Sequence, residues 1–359
     1  MTNTSRSLQL THDLLLIVSH MLCAKLQPTF HSVPLPQLTH THIKVAIDQG
    51  IGGLLFQLLI DRPYFNHQRL EAIESIWLTQ AGGALARGNL LNRYWPSNHA
   101  PPMIIKGIDF EEHLYAPLGI APGVRTCSDW DLLVPDPIYT SIIEHWTTHF
   151  GAPLKPQTAR LPHESPHELG FYIDGYLFEL HRDPAPLFFT TVSGQYLWAD
   201  RDHILSSWGQ GLSKPSLQHR LLIWLINYAK SGGVSRLLDW VDLALIINSL
   251  PTKLQEKLTH SPLQVTWISI NGLQHVTQDV MHILWNTPLR LILNLNLPYE
   301  QCVEKVTPLM RSLQRSRSPL QVAIHQVKYC HPNLRGEYLK RALLKAATYL
   351  SPPTVPRSF

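Results

Sequence analysis

Cysteine is scarce in this sequence: Cys23, Cys127, Cys302 and Cys330 are the four in 359 residues. They form neither a CxxC pair nor a dense framework, which sets aside a disulfide scaffold and leaves free thiols of a reducing compartment. Charged residues are also few, at 16%, too few for a disordered chain. No uninterrupted run of about 18 apolar residues occurs, so no transmembrane helix is expected, the default location is the cytoplasm, and no membrane partner is implied. The stretch Leu14 to Leu22 is apolar like a signal-peptide core, but Asp13 and His20 interrupt it and only Arg6 precedes it. It reads instead as an amphipathic first helix. No internal repeat or long low-complexity segment is visible.

What is present is apolar and ordered. Hydrophobic residues make up 44% of the chain, with 28 Pro, 20 His and 10 Trp, enough for a sizeable core in two or three domains. The formal charge of +4 suits a phosphate-bearing substrate without identifying a nucleic-acid binder. From Leu8 to about Leu91 the apolar residues recur at helical spacing and Pro28, Pro34, Pro36 and Pro63 divide the helices, which predicts a helical domain over 1–98. Met103-Ile104-Ile105 then reads as a strand feeding a turn at Lys106-Gly107. Asp129 to Val134, Gly170 to Asp174 and Tyr176 to His181 read as strands, and Ile138 to Phe150 as a helix. This makes 99–205 an α+β core with a small mixed sheet. Beyond Leu205 helical texture returns, clearest in Leu217 to Tyr228 and Ser235 to Leu250, which predicts a C-terminal helical domain over 206–359. From Val303 onward ten Lys or Arg stand against Glu304 and Glu337 alone. That is a solvated basic face or a contact for a polyanion.

In Asp129-Trp130-Asp131 the carboxylates are two residues apart, so on a strand both point to one face. Like charges that close repel unless a cation lies between them, and Mg²⁺, or Mn²⁺, with hard oxygen ligands is the usual one. Nucleotidyl transfer needs such an arrangement, because metal ions activate the attacking oxygen and neutralise the triphosphate. A third carboxylate on a neighbouring strand commonly completes it, and Glu179 in the apolar run Phe178-Glu179-Leu180 is the candidate. Asp129, Asp131 and Glu179 are thus the candidate catalytic and metal-binding residues.

The order Ile104-Ile105-Lys106-Gly107, Tyr115, Arg125, Asp129-Trp130-Asp131-Leu132-Leu133-Val134 and later Glu179-Leu180-His181 resembles the signature of the uncharacterised bacterial nucleotidyltransferases, a family of the polymerase-β-like superfamily. The resemblance implies a polymerase-β-like nucleotidyltransferase core flanked by helical domains, and transfer of NMP from a nucleoside triphosphate (NTP) to an acceptor. This sequence differs from the family in a longer loop between Tyr115 and Arg125, in Trp130 where a small aliphatic residue is usual, and in Glu179 for the commoner Asp. Lys106-Gly107 also stands where the superfamily has a Gly-Ser turn.

On the NTP side, Gly107 would let the backbone approach a phosphate and Lys106 would add a point charge, unless it is a surface lysine. Arg125 would grip a phosphate bidentately, or pair with nearby Asp. His181 would orient Glu179 or touch the substrate, or be a core histidine. The acceptor is a small molecule, a peptide or RNA. Three further readings share the fold: a toxin-like enzyme acting on tRNA, a tailoring enzyme of natural-product or peptide biosynthesis, and a degenerate, non-catalytic binding module. His163-Glu164-Ser165-Pro166-His167 matches HExxH, but Pro166 breaks the helical turn that a zinc protease requires. Trp224, Trp240 and Trp285 read as core rather than as a base-stacking platform.

Overall fold

Alternation along two strands sets the layout. In β2 (Asp129–Leu133) Asp129 and Asp131 share one face, while Trp130 and Leu132 are buried on the other. In β4 (Tyr176–His181) Glu179 and His181 alternate in the same way with Phe178 and Leu180. On the apolar face Trp130 and Phe178 meet edge to face, and Trp146 of the helix over Asp136–Phe150 packs on Phe178 and Phe171. That helix starts with Pro137 in its first turn and stops at Gly151, whose φ is +86°. One face of the sheet is therefore sealed by apolar packing, and the other carries the acids.

The computed structural model describes residues 3–27, 35–60, 67–125, 127–151, 167–186, 189–206, 209–260, 272–293, 326–330 and 332–340, with isolated positions 265, 268, 309, 313, 322 and 342. Around the sheet run α1 (Asn3–Leu26), α2 (His40–Asp48), α3 (Gly52–Leu59) and α4 (His67–Tyr94), then β1 (Met103–Ile104) and the short α5 (Ile108–Phe110). After β2 and α6, the helix just described, come β3 (Glu168–Ile173), β4, α7 (Gly194–Ala199), β5 (Arg201–Ser206) and β6 (Gly209–Pro215). The chain continues through α8 (Leu217–Lys230), α9 (Leu237–Ser249), α10 (Thr252–His260) and α11 (Gln274–Trp285). The six strands form one mixed sheet in the order β3-β4-β2-β1-β6-β5. The α+β class expected from the sequence is what is found.

Two expectations need correction. The sheet does not stop at 205: β5 and β6 form an antiparallel hairpin, and β6 runs parallel to β1 through Met103 and Ser213. The first helix is also not amphipathic, because Leu14 to Cys23 of α1 are buried on nearly every side. It packs against the turn Pro288–Leu293, so apolar residues of all three parts of the chain join one core. No helix among the described residues is long and apolar enough to cross a membrane. Trp224 and Trp240 are core residues and Trp285 is half-buried. The HExxH stretch lies outside the described residues except for His167. So does most of the basic run after Val303, within which Lys328 pairs with Asp279.

Candidate functional site

Strand register brings the acids together. β2 and β4 run parallel with Asp131 beside Glu179 and Leu133 beside His181. Ligand atoms of Asp131, Glu179 and His181 all lie within 4.8 Å of one another. Gly170 of β3 is the register partner of Glu179 on its other flank and adds no side chain there. The sequence suggested Asp129, Asp131 and Glu179 as the metal group. The structure places His181 in the three-donor cluster, with Asp129 next to it on the same strand face.

Asp131 is the hub. Its Oδ1 accepts from Lys106 Nζ at 2.7 Å and from His181 Nε2 at 3.0 Å; the His181 proton belongs on Nε2 because an ionised carboxylate only accepts. Burial alone would raise the Asp131 pKa, but the Lys106 charge and the His181 bond hold it well below the usual carboxylate range. Burial likewise opposes the charged form of His181, yet bonds to Asp131 and Glu179 raise its pKa to about 9. Asp129 is shifted the other way, upward, by burial and then by Asp131. Glu168, opposite His181 across β3 and β4, sits 3.7 Å from His181 Nδ1 and 2.7 Å from Lys230 Nζ. Sequence reading missed Glu168, since the strand there was expected to begin only at Gly170.

The site face opens on a cavity of about 500 Å³, within the range of small-molecule pockets. Its lining includes Lys106, Gly107, Asp129 and Asp131, and Trp224, Asn227 and Tyr228 of α8, together with Lys230, Ser231, Val234, Ser235 and Arg236. Gly107 has φ +69°, and a Cβ there would lie 3.1 Å from Cys127 Sγ, so only glycine turns the chain from β1 into α5 without strain. Lys106 therefore stands beside the carboxylates rather than across the cavity from them.

Arg125 lines the same cavity, but its guanidinium is already engaged. Nε donates to Asp242 at 2.9 Å and Nη2 to Asp239 at 2.9 Å. Tyr115 also donates to Asp242, at 2.6 Å. Both residues that stood out between Lys106 and Asp129 thus clamp α9 onto the core. Arg220 of α8 makes a second buried fork on Asp109, at 2.7 and 2.8 Å.

Glu111, 3% exposed, accepts from the backbone N–H of Gly123 at 3.2 Å and of Arg125 at 2.6 Å. Burial outweighs those bonds and pushes its pKa from 4.5 up to about 7. The folded state then keeps a proton that the unfolded chain has released. This contribution to stability is complete below pH 4.5 and is lost as pH rises through about 7. It should amount to roughly 3 kcal/mol across that window. Glu111→Gln should flatten the slope of unfolding free energy against pH there, and an unchanged slope would refute the assignment.

No family model, curated protein or solved structure matches this chain. The nucleotidyltransferase resemblance therefore rests on the motif residues, and the site's own geometry is the ground for a functional reading.

Proposed function

We propose that this chain is a metal-dependent nucleotidyltransferase that transfers NMP from an NTP to an acceptor and releases pyrophosphate. The observation that carries the reading is the register of Asp131 with Glu179, which sets carboxylates from two strands side by side, while Asp131 and Asp129 line a cavity of about 500 Å³. The donor chemistry fits a divalent cation. Ligand atoms of Asp131, Glu179 and His181 lie within 4.8 Å of one another; with His181 keeping its Nε2 proton on Asp131, the oxygens of Asp129, Asp131 and Glu179 are the donors, a hard set that suits Mg²⁺ or Mn²⁺. When bound, the ion would neutralise charge on the transferred phosphate and make the acceptor hydroxyl more acidic.

The side chains have separate tasks in this reading. Asp131, held ionised, is the principal ligand. His181 fixes its orientation through the 3.0 Å bond, and Glu168 braces His181 from behind. Lys106 pairs with Asp131 and supplies positive charge to the cavity where the triphosphate would lie. In the reaction the acceptor oxygen forms a bond to the α-phosphorus, the bond from that phosphorus to the bridging oxygen breaks, and pyrophosphate leaves. The acceptor proton passes to a site carboxylate or to water. Trp224 and Tyr228, stacked on each other with centroids 5.4 Å apart, give the cavity an apolar part of its lining.

Incubation with each α-labelled NTP, Mg²⁺ or Mn²⁺ and cell extract tests the reading: one NTP should yield a labelled acceptor. Lys106→Ala should lower kcat/KM about 10²-fold, and unchanged turnover would remove Lys106 from the site. One observation favours the non-catalytic binding module instead, namely that Lys106 and His181 both pair with Asp131. Calorimetric titration with Mn²⁺ separates the two, since the enzyme should bind Mn²⁺ and lose that binding in Asp131→Asn.

A further inference from the structure

Every cation lining the cavity has an acid partner. Lys106 pairs with Asp131, Arg125 with Asp239 and Asp242, Lys230 with Glu168, and Arg236 with Asp239. Arg87 of α4 does not follow this pattern. It is 8% exposed, yet it makes no ion pair among the described residues. Its Nη2 donates to the Ser128 carbonyl at 2.7 Å, its guanidinium carbon stands 5.0 Å from the centre of the Tyr176 ring, and its Nε has no hydrogen-bond partner. Asp129 is near enough to favour its charge but does not pair with it. A buried guanidinium held by one carbonyl and one ring face is poorly compensated for lost hydration.

The helix beside it is built to leave room. Gly82 and Gly83 interrupt α4, where glycine is a poor helix former. A Cβ at Gly82 would meet nothing within 4 Å, and one at Gly83 would lie 3.5 Å from Arg87 Nη1 and 4.0 Å from Tyr176. Glycine at 83 thus leaves Nη1 clear of the side chain that any other residue would set against it. Neither Arg87, Gly83 nor Tyr176 lines the cavity assigned to the nucleotide, although Ser128 and Asp129 border it.

We propose that Arg87, reached past Gly83 and Tyr176, is an anion subsite that takes a phosphate group carried by the acceptor, on the flank of Asp129 outside the nucleotide cavity. The assignment to the acceptor rests on the nucleotidyltransferase reading. The binding of phosphate does not. A planar guanidinium whose Nε has no partner has a donor left for a phosphate oxygen, and a phosphate gripped there would hold its substrate beside the carboxylates.

The test is calorimetric and thermal titration of the full chain with inorganic phosphate and, separately, with ATP and Mg²⁺. Wild type should bind phosphate and gain Tm with it. Arg87→Met should weaken phosphate binding about tenfold or more, keep its affinity for ATP with Mg²⁺, and melt no lower than wild type without anion. Should Arg87→Met fail to fold, Gly83→Leu serves, because it fills the approach, keeps the Ser128 bond and favours the helix; it should raise Tm and lose phosphate. Equal phosphate binding by wild type and by the variants would overturn the subsite. Joint loss of phosphate and ATP affinity would overturn it as well, by assigning Arg87 to the nucleotide. Absence of transfer with every NTP, alongside Arg87-dependent phosphate binding, would fail the enzyme reading and leave the subsite standing.

Discussion

Asp129→Asn should abolish nucleotidyl transfer, by about 10³-fold or more, while leaving the protein no less stable at neutral pH. The two halves of this expectation come from the same electrostatics. Burial and the neighbouring Asp131 both raise the Asp129 pKa, with Glu179 adding to them and Lys106 only partly opposing. A folded pKa above the unfolded one favours the fold at low pH and turns against it as pH rises through the folded value. The charged form of Asp129 is therefore disfavoured by its surroundings, and the isosteric amide removes that cost. The same charge is what a cation at the site would need. Asp131→Asn should also be inactive but markedly less stable, by about 3–5 kcal/mol, because Lys106 and His181 would lose the carboxylate that both face. Urea melts of the two variants beside a labelled-NTP assay make the comparison. If Asp129→Asn turns over like wild type, the carboxylate is no part of catalysis; if it melts well below wild type, the repulsion argument fails.

The acids were legible in the sequence because the signal was local. An Asp two residues from another in a β-rich run shares a face with it whatever lies elsewhere, and Glu179 and His181 obey the same alternation on β4. The helices α8 and α9 were legible for a similar reason, being long and apolar with a Ser231-Gly232-Gly233 break between them. The β5 and β6 hairpin was not, since Gly209 to Pro215 carries two glycines and a proline and owes its place in the sheet to pairing with Met103, over a hundred residues earlier. Partner choice was beyond reach on the same ground. Arg125 precedes Asp129 and Asp131 by a few residues, yet its carboxylates are Asp239 and Asp242, which only the docking of α9 brings near. Arg87 gave no signal, because an arginine within a helix ordinarily reads as a solvated one.

Arg125→Met should destabilise the fold by about 3–5 kcal/mol, and the deficit should widen as pH rises above about 6. Asp242 is fully buried, and burial together with Asp239 sets its pKa at about 6 even though Arg125 and the Tyr115 hydroxyl pull it down. Removing the guanidinium takes away the largest of those downward pulls, so the Asp242 pKa climbs further. A higher folded pKa deepens the loss of stability at every pH above it, whereas in acid the protonated Asp242 keeps its Tyr115 contact at little cost. Arg125→Lys should recover only part of the deficit, because one ammonium cannot reproduce donation from Nε to Asp242 and from Nη2 to Asp239. Pairing Arg125→Met with Asp242→Leu should restore more stability than either change alone would suggest, since replacing both ends of a buried ion pair removes the stranded charge. Chemical denaturation at about pH 5 and about pH 8 reads all three variants. A deficit equal at both pH values would refute the Asp242 argument, and no deficit together with a raised KM for NTP would return Arg125 from α9 to the triphosphate.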